Sequence, residues 1–262
     1  MNTYRWMSLQ FFSFYVTWGI FLPYWTGWMV DVKGIEVSEA SLIMSLGLMA
    51  RGLSTLLVFP YASERFSSIT LLKWVGIGTL LAVLSYFPAN SFSSLLIVTL
   101  VFQIFYPILM PALDYSAGVL VQNRQLNHYG RSRQWGSIGF IFAGMLLTVF
   151  TGKFGDGVIL WAFLLGAFLF VSLAFTSAPA VLTEKPKADP SRKGGLKELW
   201  KIKSFPLVLT IVILIQAAHA TYYNYGYLFL QEIDAPKYLI GVIINIAVFA
   251  EIIFFAVADR KF

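Results

Sequence analysis

Leu46-Gly47-Leu48-Met49-Ala50-Arg51 closes an apolar run on a positive charge, and 200 positions later Ile246-Ala247-Val248-Phe249-Ala250-Glu251 closes another on a negative one. The two runs align without a gap from Glu36 and Pro236 onward, and a small residue, Gly47 or Ala247, precedes each charge by one helical turn. Small residues at that spacing let helix backbones approach, so both charged faces are expected to point into a bundle. A charge at mid-bilayer costs roughly 2.5–3.5 kcal/mol even on a lenient insertion scale, so an ionisable side chain in such a place is a candidate functional residue. The alignment reads as a faint internal repeat.

Hydrophobic residues make up 58% of the 262 and charged ones 12%, against about 25% charged in soluble domains. An all-α, polytopic integral membrane protein is therefore expected. Eight stretches are long and apolar enough to cross a bilayer at roughly 20 residues each: about 6–30, 39–60, 69–87, 93–121, 135–151, 158–176, 205–230 and 238–257. The first runs well past a signal-peptide core and lacks a small-residue cleavage site, so it reads as a retained helix. Lys33, Lys153 and Lys237 stand alone on one set of connections. Apart from Arg51, the remaining lysines and arginines fall on the other set, which predicts cytoplasmic N- and C-termini.

Residues 177–204 hold the longest polar stretch, including Thr183-Glu184-Lys185-Pro186-Lys187-Ala188-Asp189-Pro190. Such Pro, Gly and charge content predicts a cytoplasmic linker with no core of its own, in which 196–203 could form a short interfacial helix. The chain thus divides into a six-helix bundle over 1–176, the linker, and a partial bundle of two helices over 205–262.

Within the spans, Glu251 is a candidate for proton handling, since burial raises a carboxylate's pKa toward values where protonation depends on access to either side. The alternative is a permanent salt bridge. Arg51 lies about nine residues from Pro60, roughly 13 Å along a helix, too far for easy snorkelling to the headgroups. Gln103, Pro107, Pro111 and Asp114 share one face of span 4, where the prolines bend the helix. Asp114 could pair with an arginine, bind a proton or satisfy the backbone the prolines open. His219, Tyr222 and Tyr223 bring an imidazole and phenols within a turn of one another, for substrate contact or for structural hydrogen bonding. Tyr15, Trp18, Leu22 and Trp25 form a stripe at steps of three, four and three, which suits stacking on a flat substrate, core packing or interfacial anchoring.

The sequence has no cysteine and two histidines, so a metal centre is not expected. It has no phosphate-cradling glycine loop and no nucleophile with a base. The reading is a transporter rather than an enzyme, with a small-molecule substrate and the lipid bilayer as partners, no nucleic acid and no cofactor beyond a proton gradient. Oligomeric state is not legible.

Several loop motifs carry a resemblance. Pro60-Tyr61-Ala62-Ser63-Glu64-Arg65 resembles a degenerate acidic-arginine motif of the major facilitator superfamily, and Ala258-Asp259-Arg260-Lys261 resembles its second copy. Tyr129-Gly130-Arg131-Ser132-Arg133-Gln134-Trp135-Gly136, entering span 5, is similar to the proton-coupled branch of 3-phenylpropionate, nucleoside and oligosaccharide symporters. The resemblance extends over nearly the whole chain, through Gly19-Ile20-Phe21-Leu22-Pro23, Ala50-Arg51, Asp114, the run from Gln216 to Tyr223, and Ala250-Glu251. It implies a major facilitator fold and alternating access in the bacterial inner membrane. It also implies uptake of a small aromatic carboxylate such as 3-phenylpropionate with protons. In that reading Glu251 takes the proton, and Arg51 attracts the anion or forms a state-dependent pair. Asp114, His219 and the aromatics Trp18, Tyr222 and Tyr223 line the cavity, and Glu64, Arg65, Tyr129, Gly130, Arg133, Trp135, Gly136, Asp259 and Arg260 serve the gating loops. A nucleoside or sugar symporter is the alternative within the branch. The superfamily has two six-helix halves, so a C-terminally truncated chain is expected, and a non-transporting membrane scaffold or fragment is the reading from another class.

Overall fold

A computed structural model describes residues 2–127, 129–176, 178–185 and 199–258. The side chains of Lys237, Ala247, Glu251 and 254–258 lie outside that description, as do Asp259 and Arg260 altogether. Among the described residues eight long helical rods follow one another: α1 Thr3–Lys33, α2 Val37–Arg65, α3 Ser68–Leu84, α4 Phe92–Gln122, α5 Tyr129–Phe154, α6 Val158–Ala174, α7 Phe205–Glu232 and α8 Lys237–Ala258. Each falls on one apolar stretch of the sequence. By length and composition α2, α4, α5 and α7 can cross a membrane, while α3 and α6 are shorter apolar helices. The onset of α2 at Val37 and of α8 at Lys237 keeps the spacing of the repeat.

The axis of the bundle is α1. It packs along α5 and α6 and is also touched by α2, α4 and α7. Its Trp6, Phe14, Tyr24, Trp25 and Trp28 are almost fully buried, and so are Gln10, Ser13 and Thr17. A helix wrapped by other helices meets protein rather than lipid, which explains how α1 tolerates polar residues that a lipid-facing helix would not. Around it α2 packs on α4, α3 on α4 and α6, and α7 and α8 close on α1 and α5.

Two helices are irregular, and their irregular turns meet. In α4, Tyr106–Ile108 tightens into a 3-10 turn around Pro107, as a helix-interior proline requires. In α2 a π-type turn spans Ser54–Val58, just ahead of Pro60. Ser54 donates from Oγ to the Ile104 carbonyl, one of the backbone groups that a regular α4 would have bonded within itself. A little earlier on α2, a Cβ added at Gly47 would sit 3.1 Å from Thr99 and 3.3 Å from Gln103 of α4. The small residue one turn before Arg51 does permit the close crossing expected of it.

One expectation needs correction. The start of the linker is not free of the core: Ala180–Thr183 forms a 3-10 turn, Leu182 is buried, and the turn lies against α3 and α4. The apolar Val181-Leu182 pair ahead of the charged run accounts for this. Of the stretch expected as an interfacial helix, 196–198 lie outside the described residues. Leu199 is helical and residues 200–204 form turns, with Leu199, Trp200 and Ile202 exposed.

Candidate functional site

Among the described residues a cavity of about 500 Å³ lies between α1, α2, α4 and α5 on one side and α7 with α8 on the other. From α1 come Tyr15, Trp18 and Leu22, from α2 Leu48, Arg51 and Thr55, and from α5 Arg133, Ser137 and Phe140. The second group supplies Gln216, His219, Tyr223 and Asn224 from α7 and Val248 from α8. On α5 the steps 133, 137 and 140 put three side chains on one helix face.

Two guanidiniums dominate this wall, and each is laid on an aromatic face. The Arg51 Cζ is 4.7 Å from the centroid of Trp18, and the Arg133 Cζ is 4.2 Å from that of Tyr15. A cation over a ring away from water gains about 2 kcal/mol or more, which fixes the side chain without neutralising it. The Arg133 Nη1 is buried without a hydrogen-bond partner. No carboxylate is among the described lining residues. His219 bonds through Nδ1 to the Ile215 carbonyl at 3.0 Å and stacks on Tyr223 at 6.1 Å, so it is both held by its own helix and set at the cavity. The arrangement suits a small anion with a flat apolar body.

The expected residues are thus brought together only in part. Arg51, His219, Trp18 and Tyr223 line the cavity. Tyr222 turns to α8, where its hydroxyl donates to the Ile243 carbonyl at 2.9 Å. Trp25, in the same stripe as Trp18, is in the core, stacked on Phe102 and packed on Trp28. Asp114 does not line the cavity; it accepts from the Tyr129 hydroxyl at 2.9 Å. Arg65 lies over Tyr61 at the end of α2, 3.5 Å from Cζ to centroid, and Glu64 is beside it in sequence. Gly130 is in the first turn of α5, Trp135 donates from Nε1 to the Tyr4 hydroxyl at 3.3 Å, and Gly136 is buried against Tyr15. Glu251 falls one turn beyond Val248 on α8, its side chain outside the description. Arg133, expected as a loop-motif residue, is instead part of the cavity wall.

Beyond the cavity, toward the Lys33 end of α1, the same helices are shut. Tyr227 of α7 packs edge-on to Tyr24 of α1 at 4.8 Å and donates to Asp156 Oδ1, in the turn between α5 and α6, at 2.9 Å. A Cβ at Gly27 would come within 2.6 Å of the Tyr227 ring. Tyr24 Oη lies 3.1 Å from both the Gly144 carbonyl and the Thr148 hydroxyl. Across α5 and α8, a side chain at Gly144 would strike Asn245, and one at Gly241 would strike Thr148.

Comparison with known proteins agrees with this architecture. The family described as "MFS_1 like family" matches residues 4–261. The chain is 28% identical over 262 residues to a curated protein of Escherichia coli (strain K12) named "Probable 3-phenylpropionic acid transporter", covering the whole chain and 68% of that protein. Among solved structures, the crystal structure of nucleoside transporter NupG matches with a TM-score of 0.78 at 17% identity, over 100% of this chain and 68% of that one. A mutant of NupG matches at 0.75 and 18%, over 97% and 66%. At such identities these structures speak for the fold.

Proposed function

The chain belongs to the MFS_1 like family, and we propose that it carries a small aromatic carboxylate such as 3-phenylpropionate, together with a proton, across the bacterial inner membrane. The observation that carries this reading is the cavity wall. Arg51 and Arg133 are held over Trp18 and Tyr15, with no carboxylate among the described lining residues. A guanidinium pairs well with a carboxylate, and Phe140, Tyr223 and Trp18 offer faces and edges for an aromatic ring. Two guanidiniums in the wall favour an acid over the nucleoside named for the solved relatives. The name of the E. coli relative supports the same choice.

Alternating access supplies the mechanism. The cavity lies toward the Thr3 end of α1 and the Tyr129 end of α5, while Tyr24, Gly27, Asp156 and Tyr227 close the other end. With the termini in the cytoplasm, this is a state that receives or releases substrate on the cytoplasmic side. Glu251, one turn past the cavity residue Val248 and opposite in sign to Arg51, is the proton acceptor in this scheme. Its protonation would release an anion-bearing cavity from like-charge repulsion, and its deprotonation would return the carrier.

The test is uptake of labelled 3-phenylpropionate into vesicles under an imposed proton gradient, with wild type and Glu251→Gln compared and unlabelled uridine as competitor. The proposal expects gradient-driven uptake that uridine does not inhibit and that the variant loses. Gradient-independent uptake in both proteins would remove proton coupling, and strong competition by uridine would move the substrate to nucleosides.

A further inference from the structure

Asp114 stands beside the cavity without entering it, and its partner shows what it does there. The Tyr129 hydroxyl donates its one proton to Asp114 Oδ1, which leaves its lone pairs to the Arg133 guanidinium one turn along the same face of α5. The order Arg133, Tyr129, Asp114 is a chain in which each contact polarises the next. It starts at the cavity wall and ends on α4. The ring of Tyr129 is itself braced edge-on by Phe11 at 6.2 Å, and Phe11 also lies under Arg133, 5.7 Å from Cζ.

The spacer hydroxyl matters chemically. A carboxylate in direct contact with Arg133 would form a fork-to-fork pair and occupy the donors that a substrate needs. With Tyr129 between them, Asp114 pulls on one side of the guanidinium and leaves Nη1 unpartnered. Gly136 completes the arrangement: a Cβ there would lie 2.7 Å from the Tyr15 ring and 3.1 Å from Arg133 Nη1, so only a residue without a side chain lets the guanidinium lie on that ring.

We propose that Asp114 is a positioning residue for substrate binding, acting through Tyr129 to hold the Arg133 guanidinium over Tyr15 at the cavity wall, where it meets the substrate carboxylate. This rests on the reading of Arg133 as a carboxylate-binding residue.

The experiment measures KM and maximal rate for 3-phenylpropionate uptake in Asp114→Asn, Tyr129→Phe, Arg133→Gln and the Asp114→Asn/Arg133→Gln double variant. KM does not depend on how much protein inserts, so poor insertion leaves the readout intact. Because Asp114 acts on the substrate only through Tyr129, losing its hydrogen bond should carry the roughly 1 kcal/mol of an ordinary one and raise KM about five- to tenfold in Asp114→Asn and in Tyr129→Phe, with maximal rate per inserted protein within about twofold. With Arg133 already replaced, Asp114→Asn should add nothing, since residues of one network are not additive. If Arg133→Gln raises KM but the Asp114 and Tyr129 variants do not, or if Asp114→Asn adds its full effect in the double variant, the positioning role is overturned. If Arg133→Gln leaves KM unchanged, the underlying reading of Arg133 fails instead.

Discussion

The two halves of α1 are built from the same residue types and put to opposite use. In the half nearer the N-terminus, Tyr15 and Trp18 face a cavity and carry guanidiniums on their rings. In the half nearer Lys33, Tyr24 meets Tyr227, Trp25 meets Phe102, and Gly27 is covered by the Tyr227 ring. What differs is what stands opposite. Cations keep aromatic side chains at a surface that a ligand can reach, whereas aromatic rings and glycines facing one another exclude everything else. Aromatic content therefore does not distinguish site from seal in this protein, and the placement of charge does.

The largest effect should come from removing that charge. Arg133→Gln or Arg51→Gln takes away one partner of a desolvated charge pair with substrate, a loss of about 2–5 kcal/mol, so 3-phenylpropionate uptake at low concentration should fall by roughly 30-fold or more. Initial rates in vesicles check this, and a loss below threefold in both variants would erase the contrast between the halves.

The sealed half can be forced. Gly27→Trp must displace the Tyr227 ring, and it should open the Lys33 end. The chain has no cysteine, so a single Thr148→Cys, at a position now 6% exposed, reports opening without a background thiol, its own labelling being the baseline because Thr148 is bonded to Tyr24. Labelling by a membrane-impermeant maleimide should rise at least about tenfold on the Gly27→Trp background, a shift equivalent to about 1.4 kcal/mol. Tyr227→Phe keeps the ring and loses the bond to Asp156. Its labelling should rise less, about three- to tenfold, as a single hydrogen bond of about 1 kcal/mol allows. Equal labelling in all three proteins would mean that these contacts do not hold the end shut.

The smallest effect belongs to a region that serves both halves alike. Ser54→Ala removes the donor to the Ile104 carbonyl where the irregular turns of α2 and α4 meet. A loss of about 1 kcal/mol is expected, visible as a modest drop in melting temperature in detergent with KM unchanged.

Much of this was legible from residue order. Apolar runs of bilayer length located every long helix among the described residues, because in a membrane length and apolarity are the dominant constraint. The onsets of α2 and α8 keep the spacing of 200 between Arg51 and Glu251, and Arg51, singled out as a charge within a span, lines the cavity. In the sequence Arg133 reads as a gating-loop residue and not as cavity wall, because a positive charge early in the helix after a cytoplasmic loop is ordinary and marks topology. The face made by Arg133, Ser137 and Phe140 at steps of four and three was the signal that would have found it. Trp18 and Trp25 could not be told apart along the stripe, since only the positions of Arg51 and Phe102, brought in from other helices, decide which one meets a cavity. The docking of Leu182 was hidden by the polar run that follows it.

The comparison of affinities for 3-phenylpropionate and its uncharged amide, measured by titration calorimetry on the purified protein near pH 7, addresses the two-guanidinium cavity itself. The acid is ionised there, and the two ligands share one ring and one chain length. The account predicts that the acid binds about 30-fold tighter or more, and that Arg51→Gln narrows the gap. Equal affinity of the acid and the amide for the wild-type protein would contradict it.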